Sequence, residues 1–200
     1  MNKHDIKQAA KVYGMTVLSS FFNLLIYVSF VALTGIFADK DGNVSAGAVT
    51  AANVLALVFQ AMLFVMLVYG PMWKYGNREL NAVKFGRRAE DKGRGLKIGL
   101  VAAVPSLISY AVRVAEKLLG FWPAYAAVYR LGHLSLYPLV VWAFGANVSA
   151  TTAGVTWGGI ALAGVPILVM PAVAAFAYRV GYADTLLSEK LVYKTTEESK

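Results

Sequence analysis

Arg113, Glu116, Lys117, Arg130 and His133 are the residues of this chain whose types and setting could do chemistry. They lie in or beside long apolar blocks, and placing an Arg or Lys at the centre of a bilayer costs roughly 2.5–3.5 kcal/mol, so each needs a partner or a task. Arg113 and Glu116 are spaced i, i+3, as are Arg130 and His133, so each pair shares one helical face. If the two segments form a hairpin, the faces meet. A site built this way would use Glu116 as a proton or cation acceptor, Arg130 as an anion contact and His133 as a group titrating near neutral pH. The plainer and favoured expectation is an interfacial turn whose charges snorkel to water and headgroups.

Other chemistries find little support. Cysteine is absent, which removes disulfides, thiolate nucleophiles and cysteine metal sites. The two histidines, His4 and His133, are far apart, and no spacing matches a zinc, calcium or di-iron site, so no metal is expected. There is no phosphate-cradling glycine loop and no G-x-S-x-G elbow. An enzyme is therefore the disfavoured class, and no cofactor is expected.

The elements that must carry these residues follow from composition. Of 200 residues 58% are hydrophobic and only 15% charged, with a mean hydropathy of +0.57. The apolar residues are gathered into blocks long enough to cross a hydrocarbon layer of about 30 Å, rather than spread at the periods of a soluble amphipathic helix or strand. The expected fold is an all-α, polytopic integral membrane bundle with four to five hydrophobic helices in a single membrane domain. Spans are expected near residues 14–37, 48–73, 98–119 and 156–178. The first is too long for a signal-peptide core and is expected to be retained.

Residues 121–145 are apolar and aromatic but contain Pro123, Arg130, His133 and Pro138. This segment either crosses as a fifth span or is re-entrant or interfacial. Five spans would place the polar tail, 179–200, outside; four keep its lysines inside, and the positive-inside rule leans that way. No internal repeat and no second domain are evident.

Residues 74–97 form the most charged segment, with Arg78, Lys84, Arg87, Arg88, Lys92 and Arg94 among its basic residues. Short loops rich in Lys and Arg stay in the cytoplasm, which places this loop and the lysine-bearing N-terminus on that side of a cell membrane. Topogenesis alone accounts for the loop; contact with anionic lipid headgroups or docking of a cytoplasmic protein are the further options. Nucleic acid is not expected, because the net charge of +8 sits where topology requires it.

Asn23, Asn53 and Gln60 are expected to tie helices together, and Pro105, Pro138, Pro166 and Pro171 to kink them. Gly99 with Ala103, and Gly154 with Gly158, have the spacing of close helix approach. The function favoured by these features is a small membrane transport or transport-associated subunit, working as a homo-oligomer or with a membrane partner. The rival is a non-transporting scaffold or assembly factor that holds lipid or a cytoplasmic partner through the basic loop.

Overall fold

A computed structural model describes residues 2–120, 125, 128–129, 133–144 and 156–183. Helix α1 runs over Lys3–Thr34 and starts well before the apolar block. Asn2 and Asp5 form a reciprocal capping box that satisfies the first free amides, and Lys7, Gln8, Ala9 and Ala10 are good helix formers. A 3-10 turn, Gly35–Phe37, ends it. The return is tight: Asp39 Oδ1 accepts from the amides of Asp41 (2.9 Å) and Asn43 (2.8 Å), and Gly42 takes φ 81°.

Ser45 then caps α2, Ala46–Lys84, by accepting from the amide of Ala48. The helix continues past Trp73, where the hydropathy falls, because no breaker occurs before Gly86 at φ 66°. Arg78 and Lys84 therefore stand on helical turns, and only residues 85–93 are irregular. Helix α3 spans Arg94–Leu119 and stops at Gly120, whose φ of 66° suits glycine. A short helix α4, Tyr137–Phe144, follows a 3-10 turn over Leu134–Leu136, and α5 covers Trp157–Tyr182 behind the Thr156 cap.

Four of these helices, α1, α2, α3 and α5, are long and apolar enough to cross a membrane. Their arrangement has the polarity of a lipid-dissolved protein. The perimeter carries Phe21 (60% exposed), Met66 (70%) and Leu168 (66%), while Asn23 and Gln60 inside are fully buried. Water would reverse that distribution; hydrocarbon favours it, because lipid solvates the apolar side chains and leaves polar groups to pair with one another. The chain is an all-α membrane bundle.

Helix α5 packs along α2 and α3, and α1 lies mainly on α2. Glycines permit the closest contacts. A Cβ at Gly76 would collide with the carbonyl of Tyr178, one at Gly181 with the carbonyl of Trp73, and one at Gly99 would lie 2.6 Å from Pro171 Cα. Gly99 and Ala103 thus serve the close approach their spacing suggests. Gly158 does not: its neighbour Gly159 meets the backbone of α4 at Ala143 instead, and Gly154 lies outside the described residues. Pro71, Pro105, Pro166 and Pro171 all sit within continuous helix.

The seam predicts a contrast within α2. Gly76→Ala forces the helices apart and is expected to cost about 3 kcal/mol, at the upper end of overpacking effects. Gly70→Ala, with open space around it, should be neutral or gain a few tenths of a kcal/mol from helix propensity, roughly. Thermal unfolding of the purified variants in one detergent compares the two; equal melting temperatures would remove the seam from the account.

Candidate functional site: a polar belt at half-height of the bundle

At 1.5 Å per residue, Asn23 lies about 27 Å along α1 from Asp5, and Gln60 about 21 Å along α2 from Ala46, so both stand near half-height. Here His133 stands in a turn and Leu134–Leu136 form a 3-10 segment rather than regular α-helix. Irregular backbone at this depth must be satisfied by protein, and long-range side chains do this. Gln60 Oε1 accepts from the Tyr137 amide (3.0 Å), while Gln60 Nε2 donates to Asn23 O (2.8 Å). Asn23 Nδ2 donates to Ser135 O and to Ser19 Oγ. Ser20 and Ser135 join hydroxyl to hydroxyl at 2.7 Å. Helices α1 and α2 thus hold the break by three side chains, Ser20, Asn23 and Gln60.

Beside it lies a cavity of about 270 Å³ lined by Thr16, Ser20 and Tyr13 of α1, Phe64 of α2, Ser106 of α3, His133, Ser135, and Pro166 with Met170 of α5. His133 stacks on Tyr129 with ring centroids 4.0 Å apart, and its Nδ1 is 3.0 Å from the Tyr129 carbonyl. A carbonyl oxygen can only accept, so Nδ1 carries the proton and Nε2 of the neutral ring is an acceptor. Nε2 is buried and makes no hydrogen bond of good geometry, although the Ser106 backbone also interacts with the ring, and Asn23 Oδ1 is buried without one too. Tyr129 in turn donates to the Ala163 carbonyl on α5 (3.0 Å).

The ionisable residues singled out in the sequence are divided between two places. Arg113 and Glu116 do pair, one helical turn apart, with side chains 1% and 0% exposed. Lys117 rests over the Trp157 ring at 5.2 Å, tying the end of α3 to the start of α5. His133, by contrast, lines the cavity with Ser106, seven residues or about 10 Å along α3 from Arg113. Arg130 lies outside the described residues, so the second expected pair has no described geometry.

The basic loop is also divided. Arg78, Lys84, Arg87 and Lys92 are exposed, with Arg87 over the Phe85 ring. Arg88 and Arg94 turn inward and both pair with Glu79, which is 4% exposed. Around that carboxylate, Tyr75 donates to Asp5 (2.7 Å), Tyr178 donates to the Asp91 carbonyl (3.2 Å), and Lys97 bonds Asp91 (2.9 Å). The Lys97 hydrogen bond holds the Asp91 carboxyl below the usual carboxylate range. These contacts place the start of α1, the end of α2, the start of α3 and the end of α5 at one charged end of the bundle. Among the described residues, no three His, Asp or Glu side chains converge as metal ligands would.

No known family matches. The chain matches no family model, no curated protein and no solved structure. Its function must be read from its own geometry.

Sequence reasoning singled out Asn23, Gln60 and His133 but not Ser20, Ser135 or Glu79. Serines are ordinary in membrane helices, and the Glu79 role depends on how the loop folds back. Only Pro138, directly after the break, signals irregular backbone.

The buried Arg113–Glu116 pair yields a double-mutant test. Glu116→Gln takes the carboxylate charge from beside a buried guanidinium and is expected to destabilise by about 3 kcal/mol, whereas Arg113→Met with Glu116→Leu should cost less, since both charges leave together. Unfolding in SDS titrations reads both; a double variant no better than the single would show that the ion pair is not the reason the charges are kept.

Proposed function

We propose that this chain is a small membrane transport or transport-associated subunit whose solute path runs through the half-height cavity, and that it acts as an oligomer or with a membrane partner. One observation carries the proposal: irregular backbone at mid-bundle, held by side chains of two other helices, borders a cavity with serine, threonine and histidine walls. Polar cavities beside interrupted helices are where membrane transporters bind solutes.

The proposed topology follows from the charged end. Its lysines and arginines assign it to the cytoplasm, and α5 ends there beside Trp73 and Asp91. The end of α3 at Leu119 and the start of α5 at Trp157 then face the outer side, and the described stretch 133–144, which reaches Gln60 and Asn23, is read as part of a re-entrant segment. The tail beyond Ala183 lies outside the described residues; in this reading it starts on the cytoplasmic side, where α5 ends.

A second reading keeps the scaffold role. Exposed Lys92 and Arg179 flank a recess of about 340 Å³ floored by Tyr178 and Tyr182 at the charged end. Cations beside interfacial tyrosines suit anionic headgroups, at about 1 kcal/mol per basic residue near the surface.

Two measurements decide among these. Purified protein in vesicles is expected to raise the uptake of at least one of urea, glycerol and methylammonium above empty vesicles. Ser135→Val, which fills the cavity wall, should lower that uptake about tenfold, equivalent to ~1.4 kcal/mol. Background uptake of all three would sink the transport assignment for the isolated chain and favour the scaffold. Separately, a reporter fused after Lys200 should be active on the same side as one inserted at Gly86; opposite sides would require residues 121–145 to cross.

A further inference from the structure

The half-height cavity has a polar side, an apolar side and no fixed charge. Ser20 and Ser135 lie 2.7 Å apart at their hydroxyls, and both reach the Thr16 carbonyl, at 3.1 and 3.5 Å. Their two protons are absorbed by that carbonyl and by each other, so what they offer a solute is oxygen lone pairs. Tyr13 and Ser106 in the same lining differ: among the described residues neither hydroxyl is bonded to protein, so each keeps a proton to donate. The His133 ring makes its contacts to backbone, at the Tyr129 carbonyl and at Ser106, and serves as wall. Phe64, Ile167 and Met170 form the apolar side.

Donors and acceptors thus stand together on the polar side, and hydroxyl groups match that mixture because each both gives a proton and accepts one. Among the described residues of the lining there is no Asp, Glu, Lys or Arg. An ion entering here would lose its hydration and meet no counter-charge, so the occupant is neutral. The space of about 270 Å³ lies below the range of drug-sized pockets, which limits the occupant to a short chain. We propose that the cavity binds a short-chain diol or triol. Its hydroxyl protons go to the Ser20 and Ser135 oxygens, its own oxygens accept from Ser106 and Tyr13, and its carbon skeleton lies on Phe64 and Met170. The inference rests on the solute path assigned above and names the solute class for it.

The test uses the full chain, labelled with carbon-13 at its six methionine methyls and titrated in detergent with 1,2-propanediol. Met170 lines the cavity, and Met72, similarly buried but outside the lining, is the internal control. The diol is expected to move the Met170 methyl resonance saturably and to leave Met72 in place. Ethylammonium chloride, similar in size but charged, should move neither. Tyr13→Phe and Ser106→Ala, which each remove one donor, should each weaken the diol about fivefold, the effect of one neutral hydrogen bond. No saturable movement of Met170, equal movement with ethylammonium, or undiminished affinity in both variants overturns the proposal. A saturable shift without vesicle uptake of the diol supports the binding site and removes only the transport assignment; uptake without a shift overturns the binding site alone.

Discussion

Hydrocarbon offers no hydrogen bonds, and the architecture is arranged around that fact. Wherever the backbone is helical the requirement is met locally; at the break Asn23 donates to the Ser135 carbonyl and Gln60 accepts from the Tyr137 amide in its place, while Ser20 bonds the Ser135 hydroxyl. Gln60 bonds both the α1 backbone and the first amide of α4, so the same residue that joins α1 to α2 also holds the break. The cavity is a by-product of this arrangement: a segment that stops at half-height leaves space beside its tip.

The two halves of the bundle are held by different forces. Towards the charged end, glycines at 76, 95, 99 and 181 bring α5 against α2 and α3 until backbone meets side chain and backbone, and dispersion does most of the holding. Glu79 collects Arg88 and Arg94 above that seam. Towards the other end the contacts are aromatic and polar: Tyr110 donates to the Ile160 carbonyl, Tyr125 to that of Ser109, and Lys117 covers Trp157. The cavity lies between a tightly packed region and one joined by individual hydrogen bonds.

The spans were legible because hydropathy blocks report directly on the solvent, and the loop at Asp39–Gly42 because its residues are turn formers. Boundaries were less legible. Helix α2 runs on to Lys84 since charged residues such as Arg78 and Glu79 favour helix as well as water, and hydropathy cannot tell a helical extension from a loop. The Arg113–Glu116 pair could be seen from its spacing. The separation of His133 from it could not, because that depends on where residues 133–137 meet α1 and α2, contacts more than seventy residues apart in sequence. Ser135 carries no signal of its own: a serine becomes part of a site only through what it is placed against.

Chain order adds a further consequence of the belt. Asn23 and Gln60 belong to helices that precede residues 133–137 in the chain, and they bond each other through Gln60 Nε2 and the Asn23 carbonyl without help from later segments. The receiving groups for the irregular segment are thus assembled before that segment is synthesised. The backbone at 134–137 therefore enters a socket whose Gln60 and Asn23 are already in place when it is made.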